Sequence, residues 1–422
     1  MMKLLWLSHL LPFPPKGGVV QRSYNLIRET SREHDVLLCA FNQKAWLADE
    51  AALEAARREF SRFCSYVQVF ELPSEKSRWT WYRLLARSFL GPESYTVNWT
   101  KSPQMQEEVY RLIRGTPIDL VHCDTLGLAE YVKDLGHMPK VLNHHNIESH
   151  MMLRRATNEA NVLKKLYFSL EAVKLRRYER KKCRLFDLNL TVSQLDRERL
   201  IARDRTLNVA VIPNGVDTNY FLPHTNKVIR HNLVFAARMN AYTNEDAVLW
   251  FLSDIWPTIK KAVPDVSLTL AGRNPTLKMR RLAANDPGVL LTGYVDDIRP
   301  LVGQAEIYVC PMRDGGGTKL KMLDAMAMGK PIVCTSLAAE GLDIVSGEHV
   351  LVADSPRAFA DGVLNLFRDE ALKSKLACRG REVVERLYAW PSIGRTLNRG
   401  FGDVVRVRKG GSSEKRGRKV IQ

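Results

Sequence analysis

Short, wholly apolar runs alternate with helix-length stretches along almost the entire chain, and this pattern limits the fold sharply. A strand that is apolar on both faces must be covered on both, which parallel sheets achieve through crossover helices. In the first half, residues 3–8, 36–41, 66–72, 118–123, 140–144, 188–192 and 209–212 read as strands. Helical stretches lie at 18–33 and, long and polar, at 148–184. In the second half the strand candidates are 233–237, 267–271, 289–294, 307–311, 332–335 and 349–352, with helices starting near residues 243, 275, 297, 318, 355 and 371. Two successive blocks of this kind predict two doubly wound, Rossmann-like α/β domains. The length of 422 residues suits two domains of about 200 each. Pro213 and the Asn214-Gly215 pair follow a strand, so the seam is expected there. The expected domains are 1–212 and 213–388, then a helix at 389–407 that could cross back to the first domain. A low-complexity basic tail at 408–422 is predicted to be disordered.

Composition narrows the function. No apolar run approaches the roughly 20 residues that span a bilayer. Residues 1–13 imitate a signal peptide, but Ser8 and His9 interrupt the apolar run, and Pro12, Pro14, Pro15 and Gly17 follow where a cleavage site would be. The segment is predicted to be a buried first strand. The seven cysteines are scattered, with no Cys-x-x-Cys pair, which predicts reduced thiols, no structural zinc and a cytoplasmic protein. A net charge of +17 calls for an anionic partner or surface. The charge is densest in KLRRYERKKCR (174–184) and in RVRKGGSSEKRGRK (406–419). A solvated helix face and a tail are the plain reading. Anionic lipid on the inner face of a membrane, at about 1 kcal/mol per basic residue, is the sharper one. Nucleic acid comes last, because no aromatics interleave with the cations. The aromatic run WTWYRLLARSFL (79–90) reads as a helix packed on the core, with an acceptor groove or a membrane-facing amphipathic helix as alternatives.

The strongest local signal is PMRDGGGTKLKMLDAMAMGKP (311–331), a buried strand running into three glycines and then a helix expected to begin at Thr318. Glycines let the backbone approach an anion, and the free N–H groups of a first helical turn point at it with the positive end of the dipole. Arg313, Gly315, Gly316, Gly317, Thr318 and Lys319 are therefore candidate phosphate ligands, against a plain strand-to-helix turn. Gly17 and Gly18 close the loop after the first strand and form a weaker candidate nest. Arg238 ends the first strand of the second block, where a cation points into a ligand crevice. His122 ends one strand, and His144, His145, Asn146 and Glu148 end the next, a polar cluster suited to hydrogen bonding a polyol. Adjacent histidines are poor zinc ligands, and no Asp-x-Asp is present for a metal-diphosphate mechanism, so no metal or other cofactor is expected. The charge on a departing diphosphate must then be met by Arg, Lys and helix N-termini.

Taken in order, Gly17-Gly18, HHNIE, VIPNGVD, AARM, LAGRNP, TGYVDD and GGGTKLKMLDAMAMGKPIV resemble the family-4 glycosyltransferases of the GT-B fold over nearly the whole chain. The resemblance implies two Rossmann-like domains facing across a deep cleft. It also implies retention of anomeric configuration and a nucleoside-diphosphate sugar donor. Carried over, Gly18 would lie against the donor diphosphate and sugar, and His145 would hydrogen-bond the sugar. Arg238 would clamp the diphosphate beside Arg273 of LAGRNP, and Gly293 and Tyr294 would border the nucleobase. Asp324 stands where the second Glu of the Glu-x7-Glu motif grips the ribose; a surface carboxylate paired with Lys321 is the plain alternative.

Two positions depart from the pattern. The first Glu of that motif falls at Gly316, and the Lys that follows the clamp Arg falls near Asn244. Lys319 is expected to supply the missing charge, while the amides of 315–317 replace the lost carboxylate. The resemblance points to a polysaccharide or lipid-linked acceptor. An epimerase or phosphorylase on the same fold, and a non-catalytic scaffold binding membrane or nucleic acid, are the competing readings.

Overall fold

The computed structural model describes residues 1–410 apart from 16, 45, 46, 48, 224–226 and 316. It divides into two compact units, Met1–Pro213 joined by the chain from Ile393 onward, and Asn214–Ser392.

The first unit is built on a parallel sheet of β1 (Lys3–Ser8), β2 (Asp35–Asn42), β3 (Tyr66–Glu71), β4 (Leu120–Cys123), β5 (Lys140–Asn143), β6 (Leu188–Thr191) and β7 (Val209–Val211). Their order is β3-β2-β1-β4-β5-β6-β7, so the winding reverses between β1 and β4. Burial drives this arrangement: Leu4, Leu5, Trp6 and Leu7 of β1 are all fully buried. Each such side chain contributes about 1.5–3 kcal/mol relative to exposure.

Four helices of this unit matter below: α1 (Gly18–Ser31), α2 (Arg78–Leu90), α3 (Glu148–Asn158) and α4 (Val162–Lys182). The single long helix expected at 148–184 is broken. Asn161 acts as a new N-cap, its side-chain oxygen accepting from Lys164 N at 3.1 Å, so α4 starts afresh. The basic run at its end is only partly a solvated face. Lys174 and Lys182 are buried; Lys182 pairs with Glu130 at 2.7 Å, and the exposed Arg184 pairs with Asp204 at 2.5 Å. The aromatic run on α2 is not core-packed either, since only Leu84 and Ser88 of that helix are buried.

The second unit carries β8 (Ile229–Ala236), β9 (Ser267–Ala271), β10 (Val289–Gly293), β11 (Ala305–Cys310), β12 (Ile332–Cys334) and β13 (Leu351–Val352). The order β10-β9-β8-β11-β12-β13 reverses between β8 and β11. Helix α5 (Tyr242–Trp250) follows β8, and α6 (Leu320–Ala327) follows the glycine-rich loop after β11. That helix begins two residues later than expected, with Lys319 as its N-cap.

The last helix, α7 (Trp390–Gly410), belongs to the first unit from Ile393 on. Its apolar stripe of Ile393, Leu397, Phe401 and Val404 is buried. Gly394 permits the close approach to α1, because a Cβ there would lie 2.4 Å from Cβ of Glu29. Asn398 donates to the Glu29 carbonyl at 3.4 Å. The helix continues past 407, and Arg408 and Lys409 pair with Asp187 and Asp119 at 2.6 and 2.8 Å. The start of the predicted disordered tail is therefore helical, and the rest of it, 411–422, lies outside the described residues. All seven cysteines are free, and only Cys378 is exposed. Among the described residues no helix is long and apolar enough to cross a membrane.

Candidate active site

Open parallel sheets bind ligands at the carboxyl ends of their strands, where the winding reverses. In the first unit that place lies between β1 and β4, and a buried carboxylate occupies it. Asp124, just beyond β4, is fully buried. Its Oδ2 accepts from Ser23 Oγ of α1 at 2.6 Å, and its Oδ1 accepts from Asn143 Nδ2 of β5 at 3.1 Å. His145 Nε2 lies 3.3 Å from Oδ2, and His9 Nδ1, beyond β1, lies 3.9 Å from the same atom. Arg22 of α1 donates to Asn143 Oδ1 at 2.9 Å and to the Pro213 carbonyl at 2.8 Å, tying the hub to the end of the unit.

Burial pushes the Asp124 carboxyl up, but the charge of His145 and its contacts with His122, His145 and His9 outweigh burial and hold it well below the ordinary range. Asp124 therefore remains an anion inside the protein. Burial lowers His9 to about 4, opposed in part by Asp124 and reinforced by His145. The other ring nitrogen of His145, Nδ1, is buried with no hydrogen-bond partner among the described residues. One ligand atom each from His9, Asp124 and His145 lie within 4.8 Å of one another, close enough to hold a metal ion. Both carboxylate oxygens already accept protein hydrogen bonds, so an ion would compete with Ser23 and Asn143 for them.

Of the residues expected in this cluster, His145 is in place, but two histidines are not. His122 is fully buried, stacked on Trp6 at 3.7 Å and edge-on to Phe401, so it cannot touch an acceptor. His144 points to the other face, as strand neighbours do, with Nε2 3.3 Å from Asn189 Oδ1. Burial lowers it to about 4. Asn146 is half-buried. Glu148 opens α3 and accepts from Thr125 Oγ1 at 3.0 Å through Oε1, while Oε2 is buried without a partner. Burial, then the nearby Glu179, raises its carboxyl to about 7. Gly17 and Gly18 are exposed at the start of α1, Gly17 with φ of 93°.

The second unit presents a different surface between β8 and β11. Arg238, beyond β8, is exposed, and its Nε donates to Asn240 Oδ1 at 3.0 Å. In the loop after β11, Gly315 and Gly317 have φ of 120° and 68°, left-handed values that favour glycine and turn the chain into α6. Gly316 lies outside the described residues. Lys319 Nζ donates to the carbonyls of Gly315 and Gly317 at 2.9 and 2.8 Å, so its ammonium is committed to holding the loop. The Thr318 hydroxyl is buried with no partner among the described residues. Arg313 is turned onto α5, paired with Asp246 at 2.5 Å and stacked over Trp250. Arg273 is exposed, and Gly293 and Tyr294 end β10, the tyrosine 61% exposed.

Lys321 was not singled out as a ligand from sequence. Its Nζ donates to Asn244 Oδ1 at 2.7 Å, and Asn244 Nδ2 donates to the Arg238 carbonyl at 2.8 Å. Burial lowers this lysine, and among the described residues it makes no ion pair. Asp324 does not pair with it. Its Oδ1 is buried without a partner among the described residues, beside a water-sized cavity shared with Lys321 and Tyr308, and burial raises its carboxyl to about 7. In the first unit, His9 was visible only as an interruption of an apolar run, and Asp124 as one more aspartate after a strand. Spacing offers no signal for either, because β1, β4 and β5 bring them together from distant sequence.

Two doubly wound units, one holding a buried polar hub and the other a cation-bearing glycine loop, define a protein of the GT-B fold. Residues 16–220 match the family described as Glycosyltransferase Family 4, and residues 230–369 match that described as Glycosyl transferases group 1. The chain belongs to the family-4 glycosyltransferases. A relative from Klebsiella pneumoniae, an uncharacterized 44.6 kDa protein in the cps region, is 23% identical over 64% of this chain and 71% of its own. The phosphatidyl-myo-inositol mannosyltransferase of Mycobacterium tuberculosis is 26% identical over 46% of this chain and 54% of its own, so the match spans about half of that enzyme. The fold is also that of Anabaena HepE, crystallised with UDP, with a TM-score of 0.64, 16% identity and coverage of 95% of this chain and all of that one.

Proposed function

We propose that the chain transfers a sugar from a nucleoside-diphosphate donor to a polysaccharide or lipid-linked acceptor, with retention of configuration and without a metal ion. The observation that carries this reading is the β8–β11 edge of the second unit. There Arg238, the unpartnered Thr318 hydroxyl, left-handed glycines and the start of α6 supply donors and positive charge for a diphosphate. Lys321 takes the role of the lysine that the family pattern expects at 244. Its ammonium reaches the Asn244 side chain from the opposite element, and Asn244 in turn donates to the Arg238 carbonyl, which supports that exchange of roles. Lys319 acts one step removed, by holding the carbonyls of Gly315 and Gly317, while the Gly315 amide donates to Asp314 Oδ1 at 2.6 Å.

In the first unit, Asp124 orients His145 through Nε2 and leaves Nδ1 for a sugar hydroxyl. The departing diphosphate, stabilised by Arg238 and Lys321, helps to take the acceptor proton. A nucleotide donor is supported by the UDP bound to HepE. A lipid-linked or polysaccharide acceptor is supported by the names of the mannosyltransferase and cps-region relatives. The exposed cations of the first unit would bring the chain to the inner face of a membrane.

Thermal unfolding against a panel of UDP- and GDP-sugars tests the proposal, since only a ligand that binds the native state raises the midpoint. One donor class is expected to stabilise the protein, and transfer from it should persist in excess chelator and give the donor's own anomer. Loss of transfer in chelator, restored by a divalent ion, would overturn metal independence and return the His9–Asp124–His145 group to consideration as a metal site.

A further inference from the structure

The first unit also carries an exposed apolar surface on α2 and α4. On α2, Trp79, Tyr82, Phe89 and Leu90 are 79%, 57%, 60% and 83% exposed. At 3.6 residues per turn these four fall within about 100° of one another. They lie opposite the buried Leu84 and Ser88, so this amphipathic helix turns its apolar stripe away from its own protein. Arg78 borders the stripe on one side, and Arg83 and Arg87 border it on the other, all three exposed. Helix α4 repeats the arrangement along its length. Val162, Leu163 and Leu166 are 76%, 78% and 68% exposed at its start, and Arg177 and Arg180 continue the same face. The two helices are neighbours, because Lys174 Nζ of α4 donates to the carbonyls of Ser88 and Phe89 at 2.6 and 3.1 Å.

Charge decides what covers this face. Helix α2 contains no acidic residue, and the two acids of α4, Glu171 and Glu179, are both buried. Every exposed charge on either helix is therefore positive. A protein partner can present either sign, whereas an anionic bilayer offers apolar depth and a phosphate plane together. Exposed Trp and Tyr beside Arg is the composition that settles at that boundary. We propose that α2 and the outer face of α4 dock on an anionic lipid bilayer, the apolar stripes entering the headgroup–acyl boundary and the arginines contacting lipid phosphates. The basic run at 174–184 takes part only through its exposed arginines and Lys181, since Lys174 and Lys182 are spent inside the fold.

The proposal deepens the membrane contact proposed above and stands apart from the donor reading, and its test needs no sugar transfer. The full chain is sedimented with vesicles of equimolar phosphatidylcholine and phosphatidylglycerol, and with phosphatidylcholine alone. Binding is expected only to the anionic vesicles and should weaken in high salt. The double variant Trp79→Ser/Phe89→Ser should lower the partition coefficient by about tenfold or more. Arg83→Glu/Arg87→Glu should do likewise, at roughly fivefold or more per reversed charge. Both should leave the thermal midpoint unchanged, because the side chains are exposed. Arg357→Glu, at a 93% exposed side chain of the other unit, should change nothing. Equal binding to both vesicle types, binding to neither, or unaltered binding by both double variants would overturn the proposal, the last by assigning membrane contact to another basic segment.

Discussion

The two switch points of this protein are built on the same sheet geometry and solve opposite electrostatic problems. Between β1 and β4, a single buried anion, Asp124, is surrounded by imidazoles, a hydroxyl and an amide. Between β8 and β11, cations gather round a loop of left-handed glycines; Asp314 and Asp246 are engaged by Tyr242 and Arg313, and Asp324 is held in the neutral form up to about 7. At the first edge both oxygens of the buried carboxylate already accept hydrogen bonds from the protein. The second is left open, with Arg238 exposed and Thr318 unpartnered. An anion-binding edge must keep donors in reserve, whereas an edge that orients a neutral sugar can have its polar groups locked by one another.

This contrast can be broken at several points. The largest effect is expected at Asp124. Asp124→Ala leaves buried partners without their anion and should lower stability by about 3–5 kcal/mol. Asp124→Asn keeps the shape, so it should fold nearer to wild type yet transfer sugar more than about tenfold slower; urea unfolding and initial rates separate the two. Wild-type stability of the alanine variant would end the hub description. Arg238→Ala should behave in the opposite way. Its unfolding free energy should stay within about 0.5 kcal/mol. Its donor-binding free energy should weaken by about 1.5–3 kcal/mol of lost charge-assisted bonding, measured by calorimetry.

Gly394→Ala forces α7 away from Glu29 and should destabilise by about 1–3 kcal/mol, read in the same urea experiment, without altering donor affinity. Lys321→Met keeps the stem and removes the charge, and a donor dissociation constant raised by about tenfold is expected. An unchanged constant would show that no cation stands in for the one missing at Asn244.

The smallest effect is a pH dependence. The fold holds Asp324 protonated above the ordinary carboxylate range, so the stability this contributes is present at low pH and is lost as pH rises through about 7. If the carboxylate grips a ribose, donor affinity should climb over the same interval. Asp324→Asn should flatten both trends; a titration of donor affinity that stays unchanged in this variant would remove Asp324 from the donor site.

Much of the architecture was legible in the chain. Every expected strand is present, because runs such as KLLWLS and AEIYVC are apolar on both faces and can lie only inside a covered sheet. The glycine loop before α6 was also readable, since consecutive glycines between a strand and a helix have few other uses. The helix break at Asn158–Asn161 was not, because the polar pattern runs across it without a proline or glycine. The outward turn of α2 escaped for a related reason. Periodicity shows that a helix has an apolar stripe, and it does not show which way the stripe faces.

The roles of the histidines separate the two kinds of information most clearly. Composition, periodicity and motif order were enough to establish two doubly wound units and the family, since these follow from how backbone hydrogen bonds and apolar area are satisfied locally. Which of His9, His122, His144 and His145 reaches the site depended on strand alternation and on the approach of β1, β4 and β5 from distant parts of the chain. So did the different contacts of Lys319 and Lys321, one on the loop carbonyls and the other on Asn244. A side chain's chemistry is written in its type, but its partners and its dielectric surroundings exist only once the sheet has closed around it.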